Sequence, residues 1–216
     1  MTVSSFAKQL LKLSLKNRLI PLFVLLLVEV PLVAAAPGDK TKYSKVDLYL
    51  DLGQTQKAAS LMQNFKDKSD SNYHYYQGRI ASKFMQNQQS VQHFQQAITL
   101  NPKNAKAYAA MALVKGRMGK FQEALNDLDR AIAIDPGYAK AYSNRGVTRG
   151  AMQDNQAALA DFNQAIRLDP RLADAYRNRG ITREMVGDLK GACADWNIAS
   201  ALGQEGPKQW AAAQCK

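Results

Sequence analysis

The sequence predicts an all-α protein built from repeated pairs of helices. Alanine is abundant, whereas aromatic residues make up only 8% of the 216 residues, and this composition favours closely packed helices over sheets. A residue pair ending in proline also recurs every 34 residues, at Asn101-Pro102, Asp135-Pro136 and Asp169-Pro170. Because proline disfavours helix in the residue before it, each pair predicts the end of a helix.

Four consecutive blocks align when they are counted from these prolines, over residues 71–104, 105–138, 139–172 and 173–204. Small residues occupy the eighth, twentieth and twenty-seventh positions, which lets two antiparallel helices approach closely. A large apolar residue at the twenty-fourth position fills the space that remains between the helices. The residues at the eighth position are Gly78, Ala112, Gly146 and Gly180, and those at the twenty-fourth are Phe94, Leu128, Phe162 and Trp196.

This pattern resembles the tetratricopeptide-repeat (TPR) family, whose signature places an aromatic residue, Leu-Gly, alanines, a second aromatic residue and proline over 34 residues. The fourth position supplies the first aromatic residue in three blocks, as Tyr108, Tyr142 and Tyr176. The resemblance covers residues 71–204 and implies a right-handed superhelical solenoid of antiparallel helix pairs. It also implies a non-catalytic scaffold that binds a protein or peptide and needs no cofactor.

Both ends of the repeat array are predicted to be caps. Residues 37–70 contain a degenerate helix pair, recognised from the turn at Gly53 and the alanine at Ala58. At the other end, residues 205–216 predict a last helix that begins at Gly206-Pro207, since proline is favoured at a first helical position. Its inner face would carry Trp210 and Ala213.

The first 36 residues resemble an export signal. An apolar stretch from Leu19 to Val28 follows a basic region, and Val33 and Ala35 satisfy the small-residue rule for cleavage. We expect a cleaved signal peptide and a periplasm-like or thylakoid-lumen-like location. The alternative is an uncleaved membrane anchor with the repeats on the exported side, as part of an envelope or photosynthetic-membrane complex. The basic residues of this segment are Lys8, Lys12, Lys16 and Arg18.

The chain is strongly basic with or without this segment. Removing its four basic residues together with Glu29 lowers the formal net charge from +11 to +8. A basic surface suits nucleic acid, acidic lipid or an acidic protein. Because export disfavours nucleic acid, we expect an acidic protein partner; the sequence does not predict the oligomeric state.

The only two cysteines, Cys193 and Cys215, are predicted to form a disulfide. An even cysteine count in an exported chain favours one. Cys193 lies nine residues before Leu202, and Cys215 lies eight residues after Pro207. The two cysteines therefore lie at nearly equal distances from the loop that joins the two helices. Because the helices are predicted to be antiparallel, the two thiols should meet. The alternative is one buried and one terminal thiol that do not interact.

No catalytic or metal site is predicted. His74 and His93 are the only histidines, and they fall at packing positions of the first block without cysteine or acidic partners nearby. Residues 116–120 superficially suggest a phosphate-binding loop but lack its spacing and the Ser or Thr after the lysine.

Paired arginines in the last two blocks are predicted to be structural. Arg145 and Arg149 share a block with Asp161, and the same positions recur one block later as Arg179, Arg183 and Asp195. A partly buried arginine needs a partner, so internal ion pairs are more plausible than an anion-binding site.

The resemblance places the binding groove on the first helix of each block. The family's groove positions, transferred to this sequence, hold six basic residues and two acidic residues, Asp174 and Glu184. The predicted net charge of the groove is therefore +4. A basic groove predicts an acidic or carboxylate-ended peptide partner, the alternative being a scatter of solvated charge. The predicted groove residues are Tyr75, Tyr76, Arg79, Lys83, Lys106, Arg117, Lys140, Asn144, Arg177 and Asn178.

Overall fold

The computed structural model describes residues 40–66, 68–206 and 215. The chain divides into two units, residues 1–42 and 43–216, and the first is described only where helix α1 begins. The predicted export signal and residues 207–214 of the predicted capping helix lie outside the described residues. Within those residues, no helix combines the length and the apolar character that crossing a bilayer requires.

The described residues form ten α-helices and no strands, as the sequence predicts. The helices follow one another as antiparallel pairs, one pair for each block. Their bounds are α1 Lys40–Asp51, α2 Thr55–Gln63, α3 Ser71–Lys83, α4 Asn87–Leu100, α5 Ala105–Arg117, α6 Phe121–Ile134, α7 Ala139–Ala151, α8 Asn155–Leu168, α9 Ala173–Met185 and α10 Leu189–Ala201.

The proline pairs end the second helices where the sequence predicts. Asn101, Asp135 and Asp169 cap α4, α6 and α8 and take extended backbone conformations, because each precedes a proline. Two of the first helices begin at a side-chain cap: the carboxylate of Asp70 accepts from the amide of Asn72, and Asn104 caps α5 in a similar way. Local sequence therefore sets the ends of these helices.

The turn within each helix pair uses one left-handed residue. Gly53, Gly119 and Gly187 have φ values of +70°, +75° and +87° at the fifteenth position of their blocks. The other two blocks place Met85 and Gln153 there, with φ values of +60° and +65°. Only glycine adopts this conformation without steric cost, so the turn geometry comes from the repeat packing rather than from these two residues.

Small residues on the first helix of each pair contact the large residue of the second. A Cβ atom placed on Gly180 would lie 2.4 Å from Nε1 of Trp196, and one on Gly146 would lie 2.8 Å from Cε1 of Phe162. The hydroxyl of Ser90 also donates to the carbonyl of Gly78 across the first block, at 2.8 Å. The predicted close approach at the eighth position is therefore confirmed.

The degenerate first pair packs in the same way. Ala58 and Met62 are fully buried with Val46 in one apolar cluster. They occupy the twentieth and twenty-fourth positions when the block is counted from residue 39, within the region 37–70 that the sequence predicts for this pair. Tyr73 and Tyr76 of α3 complete the cluster, so the first pair covers the apolar end of the repeats.

Helix order creates one continuous face of first helices. In the four repeat blocks each first helix packs against its own second helix, and α4, α6 and α8 pack against the first helix that follows them. The first helices α3, α5, α7 and α9 also contact one another in sequence. The candidate functional site lies on this face.

Candidate functional site: a charged groove on the first helices

A groove of about 980 Å³ runs along the first helices from α1 to the start of α9. Its wall includes the loops before α7 and α9 as well as the helices themselves. Eight of the ten predicted groove residues line it, namely Tyr75, Tyr76, Arg79, Lys83, Lys106, Arg117, Lys140 and Asn144.

Arg177 and Asn178 lie outside the groove lining. The guanidinium of Arg177 lies 3.6 Å from the carboxylate of Asp174, one turn earlier on α9. Its Nε also donates to Oδ1 of Asn178, at 3.3 Å. Arg177 therefore contacts both Asn178 and Asp174, and Asp174 is itself a groove residue.

An aromatic and charged network forms the α1 end of the groove. Arg79 binds the carboxylate of Asp47, which also accepts a hydrogen bond from the hydroxyl of Tyr76. Asp51 lies 3.5 Å from the same guanidinium. The guanidinium carbon is 5.7 Å from the ring centre of Tyr75 and 5.5 Å from that of Tyr76. Arg79 is therefore already paired and stacked within the chain itself.

Tyr138, from the loop before α7, also lines the groove. Burial raises the pKa of its hydroxyl, and Tyr75 raises that pKa further whereas Arg79 lowers it, so all three side chains are close enough to interact. Burial likewise raises the pKa of Tyr76, and the hydrogen bond to Asp47 adds to this effect. The tyrosines are therefore neutral hydrogen-bonding groups at neutral pH.

Three lysines in the middle of the groove are exposed and form no ion pair with any described residue: Lys83, Lys106 and Lys140. They lie on three successive first helices. Arg117, further along α5, donates to the hydroxyl of Ser82 at 2.7 Å. Leu113, also on α5, is 44% exposed and adds an apolar surface to the groove. Unpaired cations beside apolar surface are suited to an acidic segment with bulky side chains.

The predicted groove charge requires correction. The lining contains five bases and four acids, a net formal charge of +1 instead of +4. Arg177 and Glu184 are not part of it, and Asp47, Asp51 and Asp169 are. Since Arg79 contacts both acids of α1, the lining lysines without ion pairs to described residues are the ones on α3, α5 and α7.

Sequence reasoning missed the α1 contribution because the first pair was treated only as a cap. Asp47 and Asp51 fall at the ninth and thirteenth positions when this block is counted back from the turn glycine, Gly53. The same two positions of the next block hold Arg79 and Lys83, which the sequence places in the groove. Tyr138 was missed because it lies in the loop between blocks, where the pattern assigns no groove residue.

A second set of charges connects the two helices of the third block. Nε and Nη2 of Arg145 donate to Oδ2 and Oδ1 of Asp161 at 3.0 and 2.7 Å. Arg149 donates to Oδ2 of the same carboxylate at 2.8 Å. The remaining Nη1 of Arg145 reaches Asp129 of the previous block at 2.7 Å. The hydrogen bonds that Arg145 donates to Asp161 and to Asp129, together with the charges of these carboxylates, raise the pKa of Arg145 in spite of its burial.

The fourth block repeats this arrangement. Arg179 donates twice to Asp195, at 2.8 and 2.6 Å, and once to Asn163 of the previous block, at 2.7 Å. Arg183 adds a bond to Asp195 at 2.9 Å. The predicted internal ion pairs are therefore confirmed, and these arginines are occupied by structural partners.

The second block uses a lysine instead. Nζ of Lys115 lies 2.7 Å from Oδ2 of Asp127 and 3.6 Å from the carboxylate of Glu123. Burial raises the pKa of the Asp127 carboxyl, and the nearby Lys115 only partly opposes that effect. The cost of removing this carboxylate from water thus exceeds its attraction to the lysine.

In the first block, two histidines replace the charged groups. Nδ1 of His74 on α3 lies 3.4 Å from Nδ1 of His93 on α4. The ring planes are inclined by 27°, with their centres 5.7 Å apart. Burial lowers the pKa of His93, and the neighbouring His74 lowers it further. Both side chains are half-buried.

The structure places a disulfide between Cys193 of α10 and Cys215, with their Cα atoms 5.7 Å apart. The bond joins the last helix pair to the end of the chain, across the sequence that includes the predicted capping helix. No group of three or more metal-ligating side chains occurs among the described residues.

Fold and groove together define a helical-repeat scaffold. The chain belongs to the tetratricopeptide-repeat family: a model of the TPR repeat matches residues 117–153, and two models of the tetratricopeptide repeat match residues 139–172 and 93–126. The chain is also 31% identical to the Arabidopsis OM64 TPR domain, covering 95% of that domain and 53% of this chain, with a TM-score of 0.51.

Other solved structures share the fold at lower identity. A thermophilic TPR protein of Thermus thermophilus is 17% identical, with a TM-score of 0.73, and the similarity covers 82% of this chain and 98% of that protein. The TPR protein YrrB, described as having an unusual peptide-binding site, is 18% identical, with a TM-score of 0.52 over 76% of this chain and 86% of its own. Comparison with curated proteins finds no significant match.

Proposed function

We propose that this protein is a non-catalytic scaffold that acts outside the cytoplasm and binds an acidic or carboxylate-ended segment of a partner protein in its groove. The single observation that carries this proposal is the set of three lysines without ion pairs to described residues, Lys83, Lys106 and Lys140, on adjacent first helices. YrrB, which shares the fold, is described as having a peptide-binding site, and that description supports a peptide partner here.

The groove can hold such a segment in an extended conformation. Carboxylates of the segment would pair with the lysine ammonium groups, which lie at the exposed ends of long side chains. An exposed pair contributes only about 0–1 kcal/mol, so the charges determine orientation and specificity more than affinity. Apolar side chains of the segment would contact Leu113 and Leu172, and the ring of Tyr138, to supply the rest.

The direct test compares capture of partners from native membranes by the wild-type chain and by a Lys106→Glu, Lys140→Glu variant, after crosslinking. Reversing two of these charges replaces attraction by repulsion and should reduce capture of an acidic partner. The matched control is Lys103→Glu, Lys190→Glu, which makes the same charge change at two exposed lysines outside the groove lining.

A partner that the wild type and the control retain, and that only the groove variant loses, supports the proposal. If all three proteins capture the same set, binding does not use the groove lysines and the proposal fails. Synthetic peptides refine the result: an acidic peptide should bind more tightly than its Glu→Gln counterpart, and added salt should weaken that preference.

The exported location rests on the apolar stretch after the basic N-terminal residues. N-terminal sequencing of the protein from its host tests it, because a chain that begins near Ala35 or Ala36 has lost its leader. A chain that retains residues 1–36 and stays with the membrane would instead support the alternative, a tethered non-catalytic subunit or assembly factor of an envelope or photosynthetic-membrane complex.

A further inference from the structure

Three charged side chains of the groove hold the same place in successive repeats. Lys106, Lys140 and Asp174 are each the second residue of their block and lie in the first turns of α5, α7 and α9. All three line the groove and are exposed. Because these helices contact one another in sequence, the three side chains form one row along the groove, here called the charge row. Its order is base, base, acid.

The acidic end of the charge row is open to a partner. The Asp174 side chain is 58% exposed, although it lies 3.6 Å from the guanidinium of Arg177 and accepts a hydrogen bond from Nε2 of Gln204 at 2.9 Å. An exposed ion pair of this kind is weak. Asp169, whose Oδ1 accepts from the amide of Arg171, adds a second carboxylate to the same end of the groove. This end is therefore suited to a cation, whereas the lysines are suited to anions.

Each loop ahead of a first helix adds an uncharged side chain beside the charge row. Tyr138 is the last residue before α7 and Leu172 is the last before α9, and both line the groove. Packed helices lie about 8–10 Å apart, and an extended chain advances about 3.3 Å per residue. An extended segment that follows the row thus passes from one first helix to the next in about three residues. The charge row therefore fits a charged residue at every third position, with apolar residues between them.

We propose that the groove recognises the order of charges in its partner: two acidic residues and one basic residue, spaced about three residues apart, with the basic residue at one end. The acids pair with Lys106 and Lys140, and the base meets Asp174. This inference rests on the proposed function and deepens it by adding a required cation to the acidic segment. Since like charges that face each other disfavour a wrong partner, the row discriminates against a segment whose basic residue lies between its acids.

Two synthetic peptides of identical composition test the order. Each carries two glutamates and one lysine at every third position among small and apolar residues, with blocked ends that remove the terminal charges. The matched peptide has its lysine at one end, and the permuted peptide has it between the glutamates. Fluorescence anisotropy at low salt should show that the wild-type chain binds the matched peptide about ten-fold more tightly, because two contacts change from attraction to repulsion. Added salt should reduce this ratio.

A variant that exchanges the last two charges of the row, Lys140→Glu with Asp174→Lys, should reverse the preference. Its row reads base, acid, base, which is complementary to the permuted peptide, and the net charge of the protein is unchanged. Lys190→Glu with Glu205→Lys is the matched control, because it makes the same exchange at two exposed residues outside the groove lining. The control should keep the wild-type preference. Melting curves show whether each variant still folds.

The possible failures are distinguishable. Equal affinity of the wild type for the two peptides would overturn the inference and leave the proposed function intact, because an acidic segment would still bind. A preference for the matched peptide that the folded exchange variant retains would place recognition outside the charge row. Failure to bind the matched peptide also overturns the inference, and if the acidic peptide of the preceding test does not bind either, the proposed function falls with it.

Discussion

Arg145 holds the buried carboxylate of Asp161 through two parallel hydrogen bonds, Nε–Oδ2 at 3.0 Å and Nη2–Oδ1 at 2.7 Å. Arg149 donates to the same carboxylate at 2.8 Å. The Asp161 side chain is only 4% exposed. One acid on α8 therefore pairs with two arginines of α7 and fixes the two helices of the third block to each other.

We expect Asp161→Asn to be strongly destabilising. It would leave two arginines facing a neutral amide, and breaking a buried ion pair typically costs about 3–5 kcal/mol. Urea unfolding would measure the loss. Asp129→Asn is the matched control, because Asp129 contacts the same arginine but its side chain is 58% exposed, so its loss should cost about 0–1 kcal/mol. Equal effects of the two variants would contradict this account.

In contrast to Asp161→Asn, we expect Asp127→Asn to have little effect on the stability of the folded protein. Burial raises the pKa of the Asp127 carboxyl above the ordinary aspartate value in spite of Lys115, so the folded state binds a proton at this acid more tightly than the unfolded chain does. Asp127→Asn should therefore cost less than about 1 kcal/mol at neutral pH, although the ion pair is as short as those of Asp161.

The same pKa shift gives a pH dependence with a definite sign. A group with a raised folded pKa stabilises the protein below its unfolded pKa, and that stability is lost as the pH rises through the folded pKa. The stability of the wild type relative to Asp127→Asn should hence fall as the pH increases from about 4 upward. Urea unfolding of both proteins at several pH values measures their free energies of unfolding. If the wild type instead became more stable relative to Asp127→Asn as the pH rises, the raised pKa of Asp127 would be contradicted.

Gly180→Ala should destabilise the last block. The added Cβ would lie 2.4 Å from Nε1 of Trp196, and overpacking of this kind typically costs about 1–3 kcal/mol, more than alanine gains in helix propensity. Gly116→Ala is the control, since no atom lies within 4 Å of the Cβ it would add. That variant should be neutral or more stable by up to about 1 kcal/mol. Thermal unfolding compares the two.

Loss of the Cys193–Cys215 bond should lower stability by about 2–4 kcal/mol, because it would release a loop closed over a sequence separation of 22 residues. Unfolding of a Cys193→Ala, Cys215→Ser variant, compared with the oxidised wild type, measures this loss. A thiol assay under denaturing conditions checks the bond itself. The native protein should give no free thiol before reduction and two afterwards; two free thiols before reduction would exclude the disulfide.

Local sequence determined the helices and their pairing. Prolines after Asn101, Asp135 and Asp169 end second helices, and small residues opposite Phe94 and its counterparts set the close contact within each pair. These features depend on steric size and backbone conformation, which are properties of single residues at a fixed spacing. For the same reason, the facing charges of Arg145 and Asp161 were predictable from their positions alone.

Only the tertiary structure decided the electrostatics of the groove. Arg79 counts as a groove base in the sequence, but Asp47 of the degenerate first pair neutralises it, and Tyr138 enters from a loop between blocks. The same holds for His74 and His93, whose 3.4 Å contact requires two helices to pack in one particular register. Spacing along the chain shows which residues share a face of a helix. Which charge meets which partner depends on distances between helices, and these arise only when the repeats pack together.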